Sequence, residues 1–154
     1  MKFKITYLKD YPEFIPTVAK WVYEEWADKN KKSLKQVIQE FENYCNKDKI
    51  PIAFVAVDRE TPVGLINIWE NDLDSKEDLT PWVAAFYVIP EYRNKGVGKA
   101  LMEKALGKAR EMRFKIIYLH AETAGEYYQK LGWKLIEDTI NDKGEASKLF
   151  KYEL

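Results

Sequence analysis

Cysteine and histidine are almost missing from this 154-residue chain, which has one of each, Cys45 and His120. No intrachain disulfide can form, and a Cys/His zinc centre lacks its ligands, so no metal is expected. Net charge is missing as well. Twenty-five acids offset twenty-five Lys and Arg, so no overall field favours nucleic acid or an anionic membrane. No apolar run is long enough to cross a bilayer as a helix, which argues against a transmembrane segment. The start, MKFKITY, lacks the long apolar stretch of a secretory signal. The expectation is a soluble cytoplasmic protein. Repeats, low-complexity tracts and Gly/Ser/Pro linkers are also lacking, so residues 1–154 are expected to form a single domain.

What is present is a core. The chain is 46% apolar and 14% aromatic, which excludes disorder. Phe3, Ile5 and Tyr7 alternate as in a half-buried strand. Helical spacing runs from Tyr11 to Asp28 through Phe14, Val18, Trp21, Val22 and Trp26. Ser33 and Gln36 make a capping box for a second helix carrying Leu34, Val37, Ile38, Phe41 and Tyr44. Ile52 to Val57 and Val63 to Trp69 pair as a hairpin across Arg59 to Pro62. The run WVAAFYV, 82–88, suits a central strand covered on both faces. A helix over 98–112 faces inward through Leu101, Met102, Ala105, Leu106, Ala109 and Met112. A buried strand at Ile116 to Ala121, a short helix at Ala124 to Leu131 with Gly132 as its C-cap, and a terminal hairpin complete the chain. The order β-α-α-β-β-β-α-β-α-β-β is that of a mixed α/β sheet.

The segment PEYRNKGVG, 90–98, joins the apolar 82–88 run to the next helix. A Walker loop is excluded, because Lys99 is followed by Ala100 and no glycine stands five positions before Gly98. A dinucleotide fingerprint fails because Leu101 stands where its third glycine belongs. What remains is local. The first amides of a helix lack intrahelical partners and sit at the positive end of its dipole. Missing Cβ atoms at Gly96 and Gly98 would let a bulky anion reach them, with Arg93, Lys95 and Lys99 around it. Taken alone, such a turn fits a capped strand-to-helix connection equally well.

Arg93-x-x-Gly96-x-Gly98 with Ala100-Leu101-Met102, followed beyond one intervening strand by EYYQKLGW (126–133), resembles the paired signature of the GNAT acetyltransferase superfamily. The close resemblance covers roughly residues 62–137, and residues 1–50 match in element order. It implies a single-domain GNAT-like fold, a mixed, mostly antiparallel six- to seven-stranded sheet with helices on both faces. It also implies an N-acetyltransferase that moves the acetyl group of acetyl-CoA to a primary amine by direct attack in a ternary complex. The backbones of Phe86, Tyr87 and Val88 would pair with pantetheine where the fourth strand splays from the fifth. The amides of Asn94, Lys95, Gly96, Val97, Gly98 and Lys99 would hold the pyrophosphate, with Arg93 bracing the loop. Tyr128 matches the tyrosine that protonates the leaving thiolate, a role suited to a phenol with a pKa near 10; Tyr127 is expected to pack.

A base is harder to place. The family position for a strand-four glutamate falls near Trp82, and the asparagine before the last helix is replaced by Ala121 or Thr123. His120 is the first choice, having a suitable ordinary pKa. Glu122, Glu70 and Asp72 are alternatives, acting through water. The acidic loop 71–78 would favour a cationic acceptor amine, and Trp21, Trp26, Trp69 and Trp82 could shape its pocket. The terminal hairpin could pair with a second copy in a homodimer. The lack of a strand-four acid leaves an alternative reading, a non-catalytic CoA-binding regulatory module.

Overall fold

Apolar–polar alternation at the start of the chain builds β1 (Lys4–Tyr7), an edge strand in the computed structural model, which describes residues 2–154. Two 3-10 turns lead into α1 (Ile15–Trp26), and the Ser33–Gln36 capping box opens α2 (Leu34–Asn43). The box is reciprocal: the Gln36 amide donates to Ser33 Oγ at 3.2 Å and the Ser33 amide to Gln36 Oε1 at 2.7 Å. The remaining elements are β2 (Ile52–Asp58), β3 (Thr61–Trp69), β4 (Trp82–Val88), α3 (Val97–Glu111), β5 (Ile116–Ala121), α4 (Gly125–Lys130), β6 (Lys134–Ile140) and β7 (Ala146–Glu153). Element order follows the sequence expectation, with boundaries moved by a few positions. Among the described residues, no helix is long and apolar enough to cross a membrane.

Among the described residues, seven strands form one sheet in the order β1-β2-β3-β4-β5-β7-β6. Neighbours are antiparallel except β4 and β5, which are parallel. Each face has its own core. Ile66, Ile68 and Val83 pack with Val97, Leu101, Met102, Ala105 and Leu106 of α3, while Val55, Val57 and Leu65 pack with Val18 of α1 and Val37 and Phe41 of α2. The sheet therefore carries helices on both faces, as expected. Glycine at position 64 sets how closely α3 approaches. A Cβ there would stand 2.9 Å from Leu101 Cδ1 and 3.3 Å from both the Tyr87 carbonyl and Val97 Cγ1.

Two expectations fail, each for a structural reason. The 82–88 strand is not covered along its whole length. Trp82, Val83 and Ala84 are buried, but Phe86, Tyr87 and Val88 are half-buried, because the strand loses its β5 neighbour after its first residue. Trp21 and Trp26 belong less to the core than their helical spacing suggests. Both are half-buried and lie against Tyr87, with ring centroids 5.7 and 6.2 Å away.

Gly64→Val is expected to destabilise the fold by about 1–3 kcal/mol, the usual cost of overpacking a filled core, and to lower the melting temperature. A melting temperature matching wild type would show that α3 does not rest on this strand as described.

Candidate active site

The site grows out of β4. Opposite β3, Leu65 pairs with Tyr87 and Asn67 with Ala84, so Ala85 and Phe86 together face Ile66. This is a β-bulge. Ala85 takes a φ of +47°, which a residue with a Cβ rarely adopts. On the other side of β4, pairing to β5 among the described residues is confined to Trp82 and Tyr118. Beyond that point the parallel strands diverge, and the β5-facing edge of Phe86–Val88 has no strand partner among the described residues. The expected splay is therefore present, together with its bulge.

At the far end of β4 the chain turns through Pro90–Tyr92 into α3. Asn94 and Gly96 are left-handed, with φ of +61° and +87°. The first α3 hydrogen bond runs from the Ala100 amide to the Gly96 carbonyl at 3.1 Å, and among the described residues no side chain caps the helix. The amides of Val97, Gly98 and Lys99 thus stand ahead of the helical ladder, at the positive end of the helix. A Cβ on Gly96 would meet nothing within 4 Å, so this corner is open to a bulky anion. Arg93 braces the turn: its Nε donates to the Val88 carbonyl at 2.9 Å and its guanidinium lies 5.4 Å from the Tyr87 ring. The residues expected to hold acetyl-CoA, Phe86–Val88 and Arg93–Lys99, are brought to one continuous edge.

Gly98 corrects the sequence reading. Its missing Cβ does not leave open space: a Cβ there would lie 2.9 Å from Tyr127 Oη and 3.3 Å from Phe86 Cζ. Tyr127, expected to pack, is 38% exposed. Tyr128 lies deeper, with ring centroids 6.4 Å from Phe86 and 5.9 Å from Phe150. Burial, reinforced by Tyr127 and Glu122, pushes its phenol well above the ordinary value, so it stays protonated at neutral pH.

His120 is engaged on both ring nitrogens. Nε2 lies 2.9 Å from Asp72 Oδ2, and Nδ1 lies 3.2 Å from Glu122 Oε2 and 3.1 Å from Ser147 Oγ. Ser147 in turn donates to Glu122 at 2.7 Å. Burial alone would lower the imidazole, but its hydrogen bonds to Asp72 and Glu122 overcome this and raise it from 6.5 to about 10. The same contact with His120 holds Glu122 below the usual carboxylate range. Two of the alternative bases are thus turned onto the first choice; burial pushes the Asp72 carboxyl above its usual value, and the contact with His120 pulls the other way. Glu70 is exposed just past β3.

Asn67 is a residue that sequence reasoning misses. It is fully buried, and neither Oδ1 nor Nδ2 has a hydrogen-bond partner among the described residues; the same holds for Trp69 Nε1. Ile66 and Ile68 face α3, so Asn67 and Trp69 face the α1/α2 side, beside the bulge. An unpaired buried amide costs about 1–3 kcal/mol. The signal in the sequence is a single amide inside VGLINIW.

The sequence matches the family described as Acetyltransferase (GNAT) over residues 10–133. No curated protein matches it. Among solved structures it resembles an aminoglycoside 6'-N-acetyltransferase complexed with coenzyme A (16% identity, TM-score 0.75, 99% of this chain and 97% of that one). It also resembles an acetyltransferase from Streptococcus agalactiae (22%, 0.73, 99% and 98%) and Ard1 from Thermoplasma volcanium (16%, 0.72, 100% and 99%). At these identities the structures show a shared fold.

The raised His120 value gives a signed pH dependence. A group whose folded pKa exceeds its unfolded one stabilises fully below the unfolded value, near 6.5, and the contribution is lost as pH climbs through about 10. The melting-temperature gap between wild type and His120→Gln should be widest near pH 6 and close by about pH 10. A gap that stays constant or widens over that range would contradict the clamp.

Proposed function

We propose, for a chain that belongs to the GNAT acetyltransferase family, that it transfers the acetyl group of acetyl-CoA to a primary amine by direct attack in a ternary complex. One observation carries this reading: the unpartnered edge of β4 runs straight into the uncapped first turn of α3. One end offers extended backbone to an amide-bearing arm; the other offers amides and cations to a diphosphate. Family membership supports acetyl transfer and acetyl-CoA as cosubstrate; the amine and the steps below are our inference.

Phe86, Tyr87 and Val88 orient the arm, and the amides of Asn94 to Lys99 hold the diphosphate, with Arg93 fixing the turn. Backbone amides at the bulge polarise the thioester carbonyl. The acceptor attacks in its neutral form, its ammonium proton having gone to solvent, and the amine nitrogen forms its bond to the carbonyl carbon as the C–S bond breaks. Tyr128 gives its proton to the departing sulfur, and the surplus proton on nitrogen restores the phenol through solvent. Most of the acceleration comes from holding amine and carbonyl together. His120, engaged on both ring nitrogens by Asp72, Glu122 and Ser147, ties the loop after β3 to β5 and β7 rather than taking the proton. The acceptor approaches from the α1/α2 side, where Trp21, Trp26 and Tyr87 form an aromatic face; the polar groups of Asn67 and Trp69 lie buried on the same side and become available to it only when that face opens.

The engagement of His120 also favours a second reading, a non-catalytic CoA-binding regulatory module. Thiol release from acetyl-CoA across a panel of amines separates the two. Amine-dependent release supports the transferase; tight acetyl-CoA binding without release for any amine supports the module.

Tyr128→Phe should lower kcat by about a hundredfold, within the usual range for a lost general acid, while acetyl-CoA affinity changes little. Retained kcat would remove Tyr128 from that role. Asn67→Leu should raise the melting temperature, since it deletes an unpaired buried amide, and should raise KM for the amine. Higher stability with unchanged KM would make Asn67 a structural accident.

A further inference from the structure

Tyr127 is unexplained by the scheme above. Its hydroxyl stands against Gly98, in the turn whose amides precede the helical ladder of α3. The ring is held from two sides, with centroids 6.5 Å from Phe86 and 5.4 Å from Tyr128. Its hydroxyl makes no hydrogen bond to any described residue, and the side chain is 38% exposed. A phenol held in place, exposed and without a partner, is a donor with capacity to spare.

Gly98 gains its meaning from this contact. Its φ lies outside the left-handed region, so backbone conformation does not demand glycine there. Space does. A Cβ would meet Tyr127 Oη at 2.9 Å, a separation that real Cβ atoms essentially never show, and the Phe86 ring at 3.3 Å. The two motifs, separate in sequence, meet at this point, hydroxyl against glycine.

We propose that Tyr127 is a binding residue for the acetyl-CoA diphosphate, its hydroxyl donating to a phosphate oxygen docked on the first turn of α3, and that Gly98 is glycine to seat that hydroxyl. The inference rests on the acetyl-CoA reading above. A hydroxyl donating to an ionised oxygen makes one of the stronger hydrogen bonds. It also closes the cleft from the α4 side, opposite the β4 edge, so the cosubstrate is held by both walls of the splay.

The test is calorimetric titration of acetyl-CoA into wild type, Tyr127→Phe, Gly98→Ala, Tyr127→Ala and the Tyr127→Ala/Gly98→Ala double variant, with thermal scans of each. Tyr127→Phe keeps the ring, so its melting temperature should match wild type while affinity falls about tenfold. Gly98→Ala should weaken binding in the wild-type background and cost far less in the Tyr127→Ala background, because the displaced hydroxyl is already gone. Wild-type affinity in Tyr127→Phe, or equal costs of Gly98→Ala in both backgrounds, would overturn the proposal while leaving the acetyl-CoA reading intact. Failure of the wild type itself to bind acetyl-CoA would end both.

Discussion

The whole arrangement depends on β4 being unable to pair with both neighbours along its full length. At Trp82 it bonds to β3 on one side and β5 on the other. Further along, the left-handed Ala85 puts an extra residue into the strand. A bulge of this kind bends its strand and sharpens the twist, and β4 then keeps β3 and leaves β5. Exposed backbone in the middle of a sheet is costly unless something pairs with it. A strained alanine and an abandoned strand edge at one point fit the proposed cosubstrate site better than a purely stabilising role.

The rest of the fold holds that opening in place. Gly64 lets α3 settle close to β3, which brings its uncapped amides to the end of the splay. Arg93 joins the turn to the last carbonyl of β4, which ties the turn to the strand edge. On the opposite face, the His120 ring gathers Asp72, Glu122 and Ser147, linking the loop after β3 to β5 and to β7. The two faces divide the work. The α3 and α4 side carries the groups proposed to hold the cosubstrate, and the α1 and α2 side carries Asn67, without a partner among the described residues, and the aromatic surface over Tyr87.

Much of this is legible in the residues. Alternation, the Ser33–Gln36 box and the helical stripe through Leu101, Met102 and Ala105 are enough for the element order. The spacing of PEYRNKGVG and EYYQKLGW points to both ends of the proposed cleft. What cannot be read are relations between segments. Glycine at 98 signals a need for space, but the sequence does not say that Tyr127 fills it. His120 carries a useful ordinary pKa, yet Asp72 from the loop after β3 and Glu122 held by Ser147 of β7 decide its charge. Asn67 is one polar letter in an apolar strand, and its lack of partners exists only in three dimensions. Hydrophobicity alone makes the strand 82–88 look covered throughout, because it does not reveal where a neighbour departs.

Amide hydrogen exchange with and without coenzyme A reports each backbone NH by itself, and so reads the open β4 edge without an intermediary. New protection is expected at Phe86–Val88 and Asn94–Lys99, the edge of the splay and the turn before the helical ladder, with little change in β1, β2 or β6. Protection confined to other segments, with the β4 edge and the α3 turn exchanging as before, would contradict a cosubstrate site there.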